Sequence, residues 1–145
     1  MGISLPLPTP FDDEFSVLGL YSSGNWGYNM VTAFLPITPA QLGYVLKPDM
    51  SGISMISLDY ISRISKTLSA RVSSFYFFRS DTVTYEWGNS GYLLGNEFFV
   101  RLFLNPVSDL QLDFGAGIFL PSLGNVAPNA SPFWRCELNL VFSLY

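Results

Sequence analysis

At 145 residues, with charged residues at 12% and a formal net charge of −4, the chain can build one domain with a sizeable core. It carries about half the ~25% charge usual for soluble domains. The acidic balance argues against a nucleic-acid partner, which would need a basic surface. With no histidine and one cysteine, neither a zinc site nor a thiol nucleophile with an imidazole base can be assembled. Cys136 has no internal disulfide partner and reads as an apolar strand residue; no metal and no cofactor is expected.

No run of about 18 or more apolar residues occurs, so no transmembrane helix is expected. Barrel strands are not excluded, because they need only about 9 to 11 residues and hide their apolar face by alternation. The start, Met1-Gly-Ile-Ser-Leu-Pro-Leu-Pro-Thr-Pro10, lacks the basic n-region and long apolar h-region of a signal peptide. The expectation is that an export signal has been removed, or that the chain is a piece of a larger reading frame.

In chain order, residues 1–13 contain Pro6, Pro8 and Pro10 without periodicity and read as an extended N-terminal arm. Residues 14–145 read as a single β-barrel-type domain. Glu14 to Ser22 and Gly27 to Leu35 are two weaker strands around a tight turn at Ser23-Gly-Asn25. Pro36 to Gly52, with Pro36, Pro39, Pro48, Gly43 and Gly52, reads as a long irregular loop with room for a helical turn.

The pattern then sharpens to a period of two, which puts alternate residues on opposite sides of a sheet. Over 53–62, Ile56, Leu58 and Tyr60 oppose Ser57, Asp59 and Ile61. Over 68–79, Leu68, Ala70, Val72, Tyr76 and Phe78 oppose Ser69, Arg71, Ser73 and Arg79. Over 93–104, Leu94, Phe98, Val100, Leu102 and Leu104 oppose Glu97 and Arg101. Over 110–120, Leu110, Leu112, Phe114, Ala116 and Ile118 oppose Gln111 and Asp113, among glycines and phenylalanines. The last strand, 134–145, sets Trp134, Cys136, Leu138, Leu140, Phe142 and Leu144 against Arg135, Glu137, Asn139 and Ser143. The fold class is all-β, an antiparallel meander of about seven strands forming part of, or a small, transmembrane β-barrel.

If Arg63 to Thr67 and Asn105 to Asp109 are turns of equal length, Ser62 pairs with Leu68 and Leu104 with Leu110. Asp59 then falls opposite Arg71, and Arg101 opposite Asp113, an acid-base pairing repeated in the two hairpins. The remaining connections, Ser80 to Tyr92 and Pro121 to Phe133, are longer. Short turns alternating with long loops are the layout of outer-membrane barrels.

Each strand has an apolar wall, and no amphipathic helix of adequate length exists to cover it. In a barrel, that wall faces hydrocarbon and the mixed-charge wall lines a wet lumen. Asp59, Arg71, Glu97, Arg101, Asp113, Arg135 and Glu137 are accordingly the lumen-facing candidates, and none is assigned a catalytic role. Glu97 and Glu137 each have an arginine close in sequence, which favours charge neutralisation over acid-base chemistry. Trp26, Tyr28, Tyr76, Phe78, Trp87, Tyr92 and Trp134 fall at or near strand ends, where interfacial girdles sit and where ordinary β-cores also place aromatics. Gly24-Asn25-Trp26 matches the Gly-x-Trp element of lipocalin barrels, so a soluble lipocalin-like binding module is the alternative. Such a barrel would turn its apolar face inward and its charges outward, which the low lysine and glutamate content disfavours.

Leu94-Gly-Asn-Glu97 leading into a strand, Pro106-Val-Ser-Asp-Leu110 at a turn, and Phe114-Gly-Ala-Gly-Ile-Phe119-Leu-Pro121 resemble the C-terminal portion of alginate-export-type and related porin-like outer-membrane β-barrels, including those of spirochaetes. The resemblance spans roughly Ser51 to Tyr145. It implies passive movement of small hydrophilic solutes or polysaccharide across a bacterial outer membrane, or a structural membrane role, without catalysis. Implied partners are outer-membrane lipid and either further barrel strands or another copy of the chain; a self-closing eight-stranded barrel is the structural alternative. Two departures stand out. Members of such families are much longer, and the terminal signal ending in Tyr145 is out of phase, with apolar residues at Leu138, Leu140, Phe142 and Leu144 rather than at Glu137, Asn139, Val141 and Ser143.

Overall fold

The computed structural model describes residues 1–24, 42–49, 51–80, 92–121 and 131–143. The expected strand Gly27 to Leu35, the aromatics Trp26, Tyr28 and Trp87, the residues Asn25, Leu144 and Tyr145, and most of the two long loops after Arg79 and Pro121 lie outside them. Seven strands form one sheet in sequential order: β1 (Gly2–Pro6), β2 (Glu14–Leu20), β3 (Ile53–Ser62), β4 (Leu68–Arg79), β5 (Leu93–Val107), β6 (Leu110–Pro121) and β7 (Phe133–Phe142). Every neighbouring pair is antiparallel. Among the described residues there is no helix, and β1 and β7 are the two edges of an open sheet.

The residues read as an N-terminal arm thus supply an edge strand. Gly2 to Pro6 pair with Leu18 to Glu14, and the N-terminal ammonium donates to the Gly19 carbonyl at 2.8 Å. The alternation of Ile3 and Leu5 with Ser4 is too short to register as a pattern in sequence. Backbone pairing to β2 is what makes it a strand. β2 in turn pairs with β3, across a connection that spans residues 21–52.

Both hairpins keep the expected faces but not the expected partners. Ser62 pairs with Ala70 rather than Leu68, so Asp59 faces Ser73 and Arg71 faces Ile61. In the second hairpin Leu104 pairs with Leu112 rather than Leu110, so Arg101 faces Gly115 and Asp113 faces Phe103. The cause is local. Ser65 holds the first turn through its hydroxyl, which accepts from the Leu68 N–H at 3.1 Å, leaving Leu68 and Ser69 beyond the end of β3. In the second, β5 runs on to Val107, which pairs with Leu110 across a turn of Ser108 and Asp109 after a bulge that follows Leu104. Asn105 donates its N–H to Thr67 at 2.8 Å, and Pro106, with no N–H to offer, sits in the bulge where a ladder bond is not required. Each change amounts to a slide by two residues, which preserves parity and leaves the side chains of both hairpins on their predicted sides, with one exception: the bulge opposite Phe77 and Phe78 turns Leu94, expected on the apolar wall, to the other face, where it packs against the core.

The register assembles rows across the whole sheet. One face carries Ile3, Val17, Leu58, Ser74, Phe98, Ile118 and Trp134 in a row, with Leu5, Phe15, Tyr60, Val72, Val100, Ala116 and Cys136 beside it. This face is bare: Phe98, Val100, Phe114, Trp134, Leu138 and Leu140 are all exposed. The opposite face carries the core. Phe75, Phe77, Phe99, Phe119 and Met55 are buried there together with Leu42 and Val45 from a turn over residues 42–49.

The strand ends joined by residues 7–13, 63–67 and 108–109 lie at one end of the meander, and those joined by residues 21–52, 80–92 and 122–132 at the other. Tyr76, Phe78, Tyr92 and Trp134 cluster towards the long-connection end.

Candidate functional site

The covered face is organised by a carboxylate. Glu97, in the middle of the most deeply covered part of β5, has no solvent exposure. The turn brings three successive backbone N–H groups to it: Tyr44 and Val45 donate to Oε1 at 2.6 and 2.9 Å, and Leu46 donates to Oε2 at 2.9 Å. Consecutive N–H groups of this kind form a concavity that binds anions, and here the anion is supplied by the sheet itself. Burying a carboxylate is costly unless its lone pairs are satisfied, and these three bonds supply that. Gly43 has φ of +73°, and a Cβ there would stand 3.0 Å from Glu97 Oε2 and 2.9 Å from the Phe77 ring, so the turn requires glycine at that point.

Tyr44 then lies over the face between two arginines. Arg71 and Arg101 are direct cross-strand partners on β4 and β5, an arrangement that like charges ordinarily destabilise. The Arg101 guanidinium sits 4.7 Å from the Tyr44 ring centroid, while Arg71 Nη1 donates to the Tyr44 hydroxyl at 3.4 Å. The ring also packs against Phe99 at 4.6 Å and edge-on against Phe75 at 5.4 Å between centroids. A cation held against an aromatic face is stabilised by the ring quadrupole, which offsets part of the repulsion between the two guanidinium groups.

Arg101 also anchors the charge cluster that extends to the β7 edge. Its Nε lies 3.5 Å from Asp113 Oδ1 and its Nη2 3.7 Å from Glu137 Oε1, and Arg135 Nε lies 3.7 Å from the same Glu137 oxygen. The reach from β5 to β7 passes over Gly115. A Cβ on Gly115 would stand 2.6 Å from the Phe99 ring, and one on Gly117 2.5 Å from the same ring and 2.9 Å from Val45. The glycines of the Phe114 to Pro121 segment are therefore the floor on which Phe99, Val45 and the Arg101 side chain rest.

The register places Asp59, Arg71, Glu97, Arg101, Asp113, Arg135 and Glu137 on one face, but only part of the set interacts. Arg101, Asp113, Arg135 and Glu137 are linked. Glu97 serves the turn. Asp59 accepts from the Ser73 hydroxyl at 2.5 Å and forms no ion pair with Arg71. Glu97 and Glu137 belong to different rows, separated by their engagement with different partners. No group of three or more metal-ligating side chains occurs among the described residues. Nothing local to residues 42–46 in the sequence marks Tyr44 and Val45 as members of this face. The indirect sign was the set of phenylalanines at odd positions, Phe75, Phe77, Phe99 and Phe119, whose apolar area on the charged wall requires a cover.

The fold and this face define the chain as an all-β protein with one bare apolar face and one charged, partly covered face. Compared with family models, curated proteins and solved structures, the chain matches none.

Proposed function

We propose that the chain is part of a porin-like β-barrel wall in a bacterial outer membrane, of the kind its C-terminal segments resemble, serving passive passage of small hydrophilic solutes or polysaccharide or a structural membrane role. One observation carries the reading. Every charged residue within the strands, namely Glu14, Asp59, Arg71, Arg79, Glu97, Arg101, Asp113, Arg135 and Glu137, falls on the covered face, and none falls on the bare one. A solvated sheet face carries charge, whereas a face against hydrocarbon excludes it, at about 2 to 4 kcal/mol for an arginine or lysine at the bilayer midplane.

Strand lengths agree with this reading. β3 to β7 have 10, 12, 15, 12 and 10 residues, against the roughly 9 to 11 needed to cross a bilayer. The grouping of short connections at one end and long ones at the other fits the same architecture. In this setting the turn over residues 42–49 narrows the wet side of the wall, and the charges around Arg101 border what passes. A lipocalin-like module would need the reverse orientation of its two faces.

The test is reconstitution of the full chain. With lipid vesicles of dilauroylphosphatidylcholine, the chain is expected to insert with β-type circular dichroism, and brominated acyl chains should quench its tryptophan fluorescence, less so in Trp134→Phe. A chain that stays monomeric and soluble in detergent-free buffer, with no partition into vesicles, overturns the proposal.

A further inference from the structure

We propose that Arg71 and the Tyr44 hydroxyl, beside Arg101, form a binding site for a small oxyanion, a carboxylate or a phosphate group. The site lies on the covered face and is independent of what lies against the bare one. Arg71 has Ile61 and Arg101 as its cross-strand neighbours, so neither flanking side chain offers it an acceptor or a negative charge. A guanidinium has only donors. Here Nη1 reaches the Tyr44 oxygen at 3.4 Å, Nε is shut off from water with no acceptor, and Nη2 has no partner among the described residues. The Tyr44 hydroxyl, having accepted from Arg71, still has its own proton to donate, and no acceptor for it occurs among the described residues. Every polar group at this point is thus a donor, and what the set lacks is an acceptor.

Charge adds a second requirement. Arg101 meets Asp113 and Glu137, and Arg135 shares Glu137, so Arg71, Arg101 and Arg135 stand against two carboxylates and one positive charge is left at Arg71. Asp59, diagonal to Arg71 across the β3–β4 pair, is bonded to the Ser73 hydroxyl at 2.5 Å and makes no ion pair with Arg71. Residues 25–41, which lead into the turn, contain no aspartate or glutamate. Asp81 and Glu86 belong to the connection that leaves β4 at Arg79, about 26 Å of strand away from Arg71. Two guanidinium groups set opposite each other across a ladder repel, and the Tyr44 ring offsets only part of that. An oxyanion supplies the missing acceptor and the missing charge together, bound to Arg71 Nη2 and the Tyr44 proton. The planar fork of a guanidinium suits carboxylate and phosphate oxygens. Tyr44 is delivered to this place by the bond from its N–H to Glu97 at 2.6 Å, so the turn assembles the site.

The test uses the full chain, carrying isotopically labelled arginine and refolded in octylglucoside micelles. The Arg71 Nε–H signal is assigned by its loss in Arg71→Lys and followed by NMR during titration with sodium acetate, with inorganic phosphate, and with sodium chloride at matched ionic strength. Saturable shifts of the Arg71 and Arg101 signals are expected with acetate or phosphate and not with chloride, which offers charge without paired oxygens. Tyr44→Phe should weaken this binding about tenfold, the loss of one hydrogen bond to a charged group. Arg71→Gln, read at the Arg101 signal, should abolish it. Asp59→Asn should leave the affinity within about threefold, because a charge one row away acts through screened distance. No saturable shift, equal shifts with chloride, unchanged affinity in Tyr44→Phe, or binding retained in Arg71→Gln each overturn the proposal. A gain of more than about tenfold in Asp59→Asn does so as well, because it identifies Asp59 as the resident counter-ion of Arg71.

Discussion

Arg101 and Asp113 form an ion pair at 3.5 Å although their backbones are not cross-strand partners: Arg101 faces Gly115 and Asp113 faces Phe103. The contact is diagonal. It is allowed because Gly115 leaves the surface over β6 open to the guanidinium, and diagonal neighbours on one face lie within reach of a long side chain. The pair is largely shielded from water, with side chains 18% and 15% exposed. In a double-mutant cycle, Arg101→Gln and Asp113→Asn should couple by about 1 kcal/mol in denaturant unfolding. The register itself is read separately. With Cys136 replaced by serine, a Leu102→Cys, Phe114→Cys pair should form a disulfide, and a Leu102→Cys, Leu112→Cys pair should not.

Glu97 is the latch of the turn over residues 42–49. Glu97→Ala leaves three N–H donors without their acceptor, at about 1 to 3 kcal/mol for each buried group left unsatisfied. Glu97→Gln retains one acceptor oxygen and adds donors that face donors. Both variants are expected to release the turn, read as faster chymotryptic cleavage after Tyr44, with cleavage after the exposed Phe11 as internal reference. Unchanged cleavage after Tyr44 would remove Glu97 from this role.

Gly115 and Phe99 are coupled by volume. Gly115→Ala puts a methyl group 2.6 Å from the Phe99 ring, and overpacking of this kind typically costs about 1 to 3 kcal/mol. In a Phe99→Ala background the obstruction is gone, so the added Gly115→Ala should cost little. Equal cost in both backgrounds would show that the strand backbone, and not the ring, imposes glycine there.

Asp13, at the short-turn end, has its carboxyl held below the ordinary value of 3.8, chiefly by a hydrogen bond from Ser62, against the opposing effect of burial and with support from Thr9 and Tyr60. Tyr60 donates to it at 2.8 Å. A carboxylate whose folded value lies below its unfolded value stabilises the fold fully above the unfolded value, and that contribution is lost as pH falls from 3.8 through the folded value. The acid limb of the unfolding midpoint against pH should therefore flatten in Asp13→Asn. An unaltered acid limb would place the sensitivity elsewhere.

Much of the architecture was legible from periodicity. The alternation in β3 to β7 specified the strands and which residues share a face, because a period of two is a local property of an extended chain. β1 was not legible as a strand: Gly2 to Pro6 has no distinguishing pattern of its own, and its strand character comes from pairing with β2. Partner choice along the ladders was not legible either. Turn lengths were read from composition, but the Ser65 hydroxyl bond and the bulge after Leu104 set the actual pairing. In the candidate site, the charged residues were found from the strand pattern, while Tyr44 and Val45 were missed because nothing local ties residues 42–46 to Glu97, far along the chain.

The sequence by itself determined that this chain builds an antiparallel sheet with its charges on one side and mostly apolar side chains on the other, because alternation alone sorts side chains to faces. Only the tertiary structure decided which charges meet, that Glu97 is a structural anion rather than a free carboxylate, and that the charged face carries the aromatic core. Those outcomes depend on a turn packing across strands it does not adjoin in sequence, and on glycines that make room for it.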